Sequence, residues 1–345
     1  MAHRDEKMKL TRRDIIQTSV AFATGAPLQL IPSRTEAAEF SYKYGNNVPL
    51  SHPINIAAQK AADRIKEESS GRLVIDIFPN SQLGGDTDML SQIRSGALEF
   101  YSLSGLVLAT LIPTAAISGI GFAFPNYDRV WQAMDGDLGT YVRTQIERAG
   151  LIAMERIWDN GYRQITSSSR PIHSPQDLNG FKIRVPISPI WTSLFKSFGA
   201  SPTPINFSET YSALQTKLVE GQEQPLSIVH IAKLYEVQRY CSLTDHMWDG
   251  FWFVANKGAW RRLPKGLQEI VARNIDQAAI DERRQVRWLN ETISQDLEAK
   301  GMIFNRTETQ LFRATLAKSG FYTEWRQRFG LEAWTLLEKY TGELV

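Results

Sequence analysis

Cysteine is almost absent: Cys241 stands alone in 345 residues, so no internal disulfide can form and no paired-thiol metal or redox motif exists. Catalytic signatures are missing too. The chain holds no Walker P-loop, no strand-linked GxGxxG, no GxSxG elbow and no HExxH. Its five histidines (His3, His52, His173, His230, His246) stand singly, without the spacing that zinc ligands share, so neither a metal nor a cofactor is expected. A triad assembled from distant residues leaves no such mark, and nothing points to one. Charge of one sign is lacking as well, with 39 Lys and Arg against 37 Asp and Glu. Residues 1–38 carry six of the bases and four of the acids, which leaves the remainder formally neutral. With no basic excess and no Lys/Arg run, nucleic acid is not an expected partner.

Long hydrophobic runs reduce to one candidate. Phe100 to Tyr127 runs 28 residues without a charge, long enough to span a bilayer. Pro113, Pro125 and interspersed glycines, serines and threonines argue instead for a buried strand, a short helix and a second buried strand within an α/β core.

What is present begins with residues 1–38, which read as an export signal: Arg4, Lys7 and Lys9, then Arg12-Arg13 just before the uncharged stretch Ile15–Ser33, then small residues in TEAAEF. An arginine pair so placed resembles a twin-arginine signal, which predicts a periplasmic protein; a disordered basic tail is the alternative. No cysteine lies near the expected cut, so no lipid anchor is expected.

Beyond the signal, FSYKYGNN and RLVIDIFP read as strands flanking a helix from Ser51 and Pro53 to Gly71. A second helix, capped by Asp86 and stopped at Gly96, leads to LEFYSL. Strand, helix, strand, helix, strand implies a parallel sheet with crossovers. A second run of alternation starts near residue 151, with strands in LIAMERIWDNGYRQITSS and FKIRVP, and helices in SPIWTSLFKSFG and ETYSALQTKLVEGQ. FWFVANKGAW reads as a further strand. Leu267 to Lys300 contains neither Gly nor Pro, so one helix there either touches both halves of the molecule or bends between them.

Two arginines carry the chemistry. Phe181, Ile183 and Val185 alternate toward a core, which sets Lys182 and Arg184 on the opposite face at the end of a strand. Arg163 lies on a similar apolar segment. A guanidinium so placed either pairs with an internal Asp or Glu, or presents its planar fork to a carboxylate from outside. Trp158, Tyr162, Trp191, Phe207, Trp248, Phe251 and Trp252 either pack a core or wall a pocket.

SQLGG, PQDLNGFKIRV, FSETYSALQ and GQE, in this order and spacing, resemble the solute-binding subunits of TRAP (tripartite ATP-independent periplasmic) transporters, over residues from about 40 to beyond 300. The resemblance implies an α/β periplasmic binding protein-like (type II) fold whose two lobes are joined by hinge strands and spanned by a long helix. Lobe I would hold 39–160 plus about 249–290, and lobe II 161–248 plus about 291–345. It also implies capture of an organic acid, aliphatic or aromatic, for delivery to small and large TRAP membrane subunits. Arg184 would grip the carboxylate with two prongs, assisted by Arg163. Phe207 would pack over the solute and Gln224 contact the carboxylate side, while Asn46, Ser104 and the segment ending at Trp248 would line the cleft. Gln224 stands where similar proteins carry Asn, and Ser104 where some carry an acid. The second departure favours a less polar acid over a sugar acid. A carboxylate-processing enzyme with an interlobe site and a receptor feeding a sensor remain alternatives.

Overall fold

The computed structural model of the protein describes residues 37–344, so the expected export signal falls outside it except for its last two residues. Alternating apolar residues build the first strands, β1 (Phe40–Gly45), β2 (Leu73–Phe78) and β3 (Phe100–Ser104). Helices Pro53–Glu68 and Asp86–Ser95 connect them. The first opens on a proline, where a missing N–H costs nothing, and its cap is His52 Nδ1, not Ser51. The second is capped by Gly85, whose N–H goes to Asp88. Asp86, expected as the cap, is therefore the first helical residue, and its carboxylate is buried. Gly96 ends this helix in the left-handed region, as expected.

β1 pairs in parallel with β2 and β3. The rest of the first sheet is not parallel: β11 (Trp248–Asn256) inserts between β3 and β4 (Leu151–Ala153) antiparallel to both, and also pairs with β5 (Trp158–Tyr162). The second sheet runs in the order β12 (Ile303–Arg306), β10 (Tyr240–Leu243), β6 (Gln164–Ser167), β9 (Gly221–Gln224), β7 (Lys182–Val185), β8 (Ser201–Pro204). The two sheets are the cores of two lobes.

The chain leaves the first sheet between β5 and β6, through the single residue Arg163, and returns between β10 and β11. Arg163 N–H donates to the Met247 carbonyl (2.9 Å), so the two crossings lie side by side. A third connection is the helix Lys265–Thr292, about 42 Å long at 1.5 Å per residue. It stops short of the expected Lys300. The Thr292 hydroxyl bonds back to the Trp288 carbonyl (2.8 Å), a contact that bends helices, and the chain resumes as a short helix, Ser294–Ala299.

The uncharged stretch departs from expectation. After β3 come a short helix, Gly105–Leu108, and a 3₁₀ segment, Pro113–Gly119, but no second strand. The chain that follows is buried yet irregular, because its polar backbone groups find partners outside any ladder: Phe122 N–H donates to the His246 carbonyl (2.8 Å) and Tyr322 OH to the Gly121 carbonyl (3.0 Å). Among the described residues no helix is long and apolar enough to cross a membrane. The expected helix over ETYSALQTKLVEGQ is also shorter, Thr210–Gln215, because Lys217 turns the chain at φ 58° and GQEQ becomes β9. Three C-terminal helices close the fold, and the last, Leu331–Thr341, reaches Asp137 through Lys339 and Tyr340.

Candidate functional site

A cavity lies between the two sheets. Arg163, Arg184, Phe207, Gln224 and Ser104 all line it, drawn from β3, the crossing, β7, β9 and the turn after β8. Asn46 and Trp248 do not. The Asn46 amide donates to Asn55 Oδ1 (2.7 Å) and its carbonyl accepts from Val48 N–H (3.1 Å), so the side chain is occupied in holding its own turn. Trp248 Nε1 donates to Asp159 Oδ1 (2.8 Å), and its ring meets Trp131 edge-on behind the cavity wall. In each case the next residue, Asn47 or Asp249, lines the cavity.

Alternation on β7 places Arg184 as expected: Ile183 and Val185 are fully buried on one side, Lys182 is exposed, and Arg184 is 1% exposed on the cavity side. Its Nε and Nη2 both donate to the Ile205 carbonyl (2.9 and 2.7 Å), which fixes the plane of the fork. Nη1 has no partner among the described residues. Burial pushes the Arg184 pKa down to about 10, with Glu223 pulling the other way. No carboxylate forms an ion pair with it among the described residues.

Arg163 is the opposite case. Its Nε and Nη2 grip the Glu223 carboxylate, Nη2 also reaches the Glu223 carbonyl (2.8 Å), and Nη1 donates to Asp249 Oδ2 (2.9 Å). The Trp191 ring covers it at 4.8 Å. Burial would raise the Glu223 carboxyl, but Arg163 and His246 outweigh it and hold that carboxyl below its usual range. His246 completes the cluster, with Nε2 3.1 Å from Glu223 and Nδ1 2.8 Å from the Thr244 hydroxyl.

Two acids that sequence reasoning did not single out face the cavity from the first lobe. Asp249 accepts from the Ser104 hydroxyl (2.6 Å) and the Asn160 amide (2.9 Å). Asp86 accepts from the Asn47 amide (2.8 Å) and Tyr101 OH (3.1 Å). Burial raises both carboxyls above their usual range. The acid missing at Ser104 is thus supplied by the neighbouring strand, which removes the ground for favouring a less polar solute. A usable signal for Asp249 existed, since it is a charge within the apolar run WDGFWFVA. Asp86 looked like a helix cap and nothing more.

At the cavity edge Asn206 of the second lobe meets Gly85 and Thr87 of the first; a Cβ at Gly85 would come within 3.0 Å of the Asn206 side chain. The two lobes therefore close on one another over the cavity. Among the described residues no group of three or more His, Cys, Asp or Glu could hold a metal ion.

Two lobes joined by side-by-side crossing strands, closed over a polar cavity with a fixed guanidinium in it, define a solute-binding protein. The chain belongs to the bacterial extracellular solute-binding proteins of family 7 (DctP), whose family model matches residues 44–322. It is 34% identical over 266 residues to the uncharacterized protein y4mM of Sinorhizobium fredii, covering 77% of this chain and 49% of y4mM, and so spans about half the length of that relative. It is 31% identical to the 2,3-diketo-L-gulonate-binding periplasmic protein YiaO of Escherichia coli, over 78% of this chain and 82% of YiaO. Among solved structures, a TRAP periplasmic solute-binding protein from Sulfurospirillum deleyianum with bound succinate superposes with a TM-score of 0.82 at 27% identity, covering 88% of this chain and 99% of that one.

Proposed function

We propose that the protein is a periplasmic receptor that encloses an organic acid between its lobes, grips the carboxylate through Arg184, and delivers it to TRAP membrane subunits encoded as other chains. The observation that carries this reading is Arg184: a buried guanidinium, locked in orientation by the Ile205 carbonyl, that no protein carboxylate neutralises among the described residues. An isolated buried charge is costly, so the fold keeps it only if a partner arrives. A solute carboxylate is that partner, and closure over it excludes water and strengthens the contact. Arg163 supports the site by holding Glu223 and Asp249 in place, Phe207 covers the solute, and Gln224 and Ser104 border it. The lobe boundary falls at the two crossings, with the C-terminal helices bracing both sides. The periplasmic location follows from the export signal expected at residues 1–38. YiaO is named for binding 2,3-diketo-L-gulonate and the Sulfurospirillum deleyianum protein holds succinate, both carboxylates, which supports the substrate class; we assign this chain no turnover.

Thermal denaturation with a panel of organic acids and their neutral amides tests the reading. An acid at about 1,000 times its dissociation constant stabilises the folded state by about 4 kcal/mol, a shift of several degrees in midpoint. Acids should shift the midpoint and amides should not, and the acid should be recovered unchanged. Equal shifts from the amides would remove the carboxylate clamp, and an altered acid would make the protein an enzyme.

A further inference from the structure

We propose that the solute is a polyhydroxylated monocarboxylate whose hydroxyl groups are read by Asn47 and Asn160. The inference rests on Arg184 being the carboxylate clamp. The cavity's unsatisfied polar atoms divide by kind. Arg184 Nη1 and Trp191 Nε1, both in the second lobe, are donors without a partner among the described residues. Asn47 Oδ1 and Asn160 Oδ1, both in the first lobe, are acceptors without one. The orientation of these two amides is not arbitrary. Asn47 Nδ2 donates to Asp86 and Asn160 Nδ2 donates to Asp249, and flipping either amide would set a carbonyl oxygen against a carboxylate. Each aspartate thus works through its asparagine: by taking the NH₂ it leaves the carbonyl oxygen as the group presented.

The first-lobe wall therefore shows acceptors, and its partner must donate. A second carboxylate has no proton to give and would lie among Asp86, Asp249 and two carbonyl oxygens. Arg163, the other guanidinium, is already engaged by Glu223 and Asp249 and does not offset that repulsion. An aromatic or aliphatic tail would leave both carbonyls buried and unpaired. A single ammonium supplies donors at one point only, whereas Asn47 and Asn160 come from different segments, the turn after β1 and strand β5. A carbon chain bearing several hydroxyls supplies donors at separate points and keeps its one charge for Arg184.

Titration calorimetry of the purified protein with D-gluconate, D-erythronate, succinate, benzoate and L-glutamate decides the matter. One of the two hydroxy acids should bind at least about 100-fold more tightly than the other three probes. Asn160→Leu and Asn47→Leu should each weaken that hydroxy acid by about 10-fold or more while leaving hexanoate, which carries no hydroxyl, unweakened. Tightest binding by succinate, benzoate or L-glutamate overturns the proposal and leaves the clamp standing, as does unchanged hydroxy-acid affinity in both asparagine variants. The wild-type panel is decisive even if a variant fails to fold. Absence of binding by every acid, or an Arg184→Met protein that holds the best acid as tightly as before, overturns the clamp and this proposal together.

Discussion

Arg163 and Arg184 share almost everything that a sequence can express. Both stand at strand ends, both are 1% exposed, and both line the same cavity. They differ in what neutralises them. Arg163 meets Glu223 and Asp249, and although burial alone would lower its pKa, the two carboxylates raise it. Arg184 has one backbone carbonyl for a partner, and burial lowers its pKa to about 10. The first arginine completes the protein; the second is completed by something that enters. A buried charge is therefore ambiguous until its partner is identified, and the partner separates structure from recognition.

The strongest way to break this contrast is to remove Arg163. Arg163→Met leaves Glu223 and Asp249 buried without their cation and should cost about 3–5 kcal/mol of stability in urea denaturation. An unchanged midpoint would mean that the cluster is not what holds the crossing. Arg184→Met should behave in the opposite way. The free protein should be as stable as wild type or more so, because a desolvated, unpaired charge is gone, while acid binding weakens by about 2–5 kcal/mol in calorimetry. Loss of stability in that variant, with affinity retained, would put Arg184 in the same class as Arg163.

How much of this was legible in the sequence follows from range. The alternation around Arg184 is local, and it was read correctly. The α/β order of the first lobe is local too, and the parallel trio β1, β2 and β3 matches it. The partners of Arg163 lie 60 and 86 residues away, and no periodicity reveals them. The same holds for β11, which enters the first sheet antiparallel after the chain has built most of the second. Asn46 and Trp248 show a finer limit. The resemblance named segments that line the cavity, but neighbouring side chains diverge, on β11 by strand alternation and after β1 by the turn that Asn46 holds, so a displacement of one residue turns the chosen group away from the cavity. Asn47 and Asp249 face it instead.

A second pair sharpens the comparison. Glu223 and Glu282 are both fully buried, yet their carboxyls move in opposite directions. Arg163 and His246 hold Glu223 low against its burial. Glu282 has no such cation in contact: burial first, then Asp159, push it well above the carboxylate range, with Arg283 only partly opposing. It accepts the Asp159 N–H (2.9 Å), and burial raises Asp159 itself to about 7. Raised carboxyls keep their protons in the folded state, so their contribution is complete below the unfolded carboxylate range and is lost as pH rises through the folded pKa, about 7 for Asp159. The midpoint of thermal unfolding should fall by a few degrees between about pH 5 and about pH 8, and Glu282→Gln should flatten that fall. Glu223 works the other way, losing its contribution as pH drops below the ordinary range. A Glu282→Gln profile parallel to wild type would shift the effect to Asp159 itself or to Asp276, which burial raises to about 6.

The smallest expected effect concerns Trp248, whose neighbour Asp249 faces the cavity while its own ring faces Trp131 and its Nε1 serves Asp159. Trp248→Phe keeps most of the apolar surface and removes one hydrogen bond to a buried carboxyl, at a cost of about 1–3 kcal/mol in stability. The rise of the Asp159 carboxyl should steepen, since Trp248 is the hydrogen bond that most opposes burial there. Solute affinity should stay within about twofold of wild type, because on a strand the residue beside a binding residue belongs to the other face. A larger loss would show that the Trp248–Asp159 bond helps set the closed arrangement of the crossings, and would extend the binding site into the hinge.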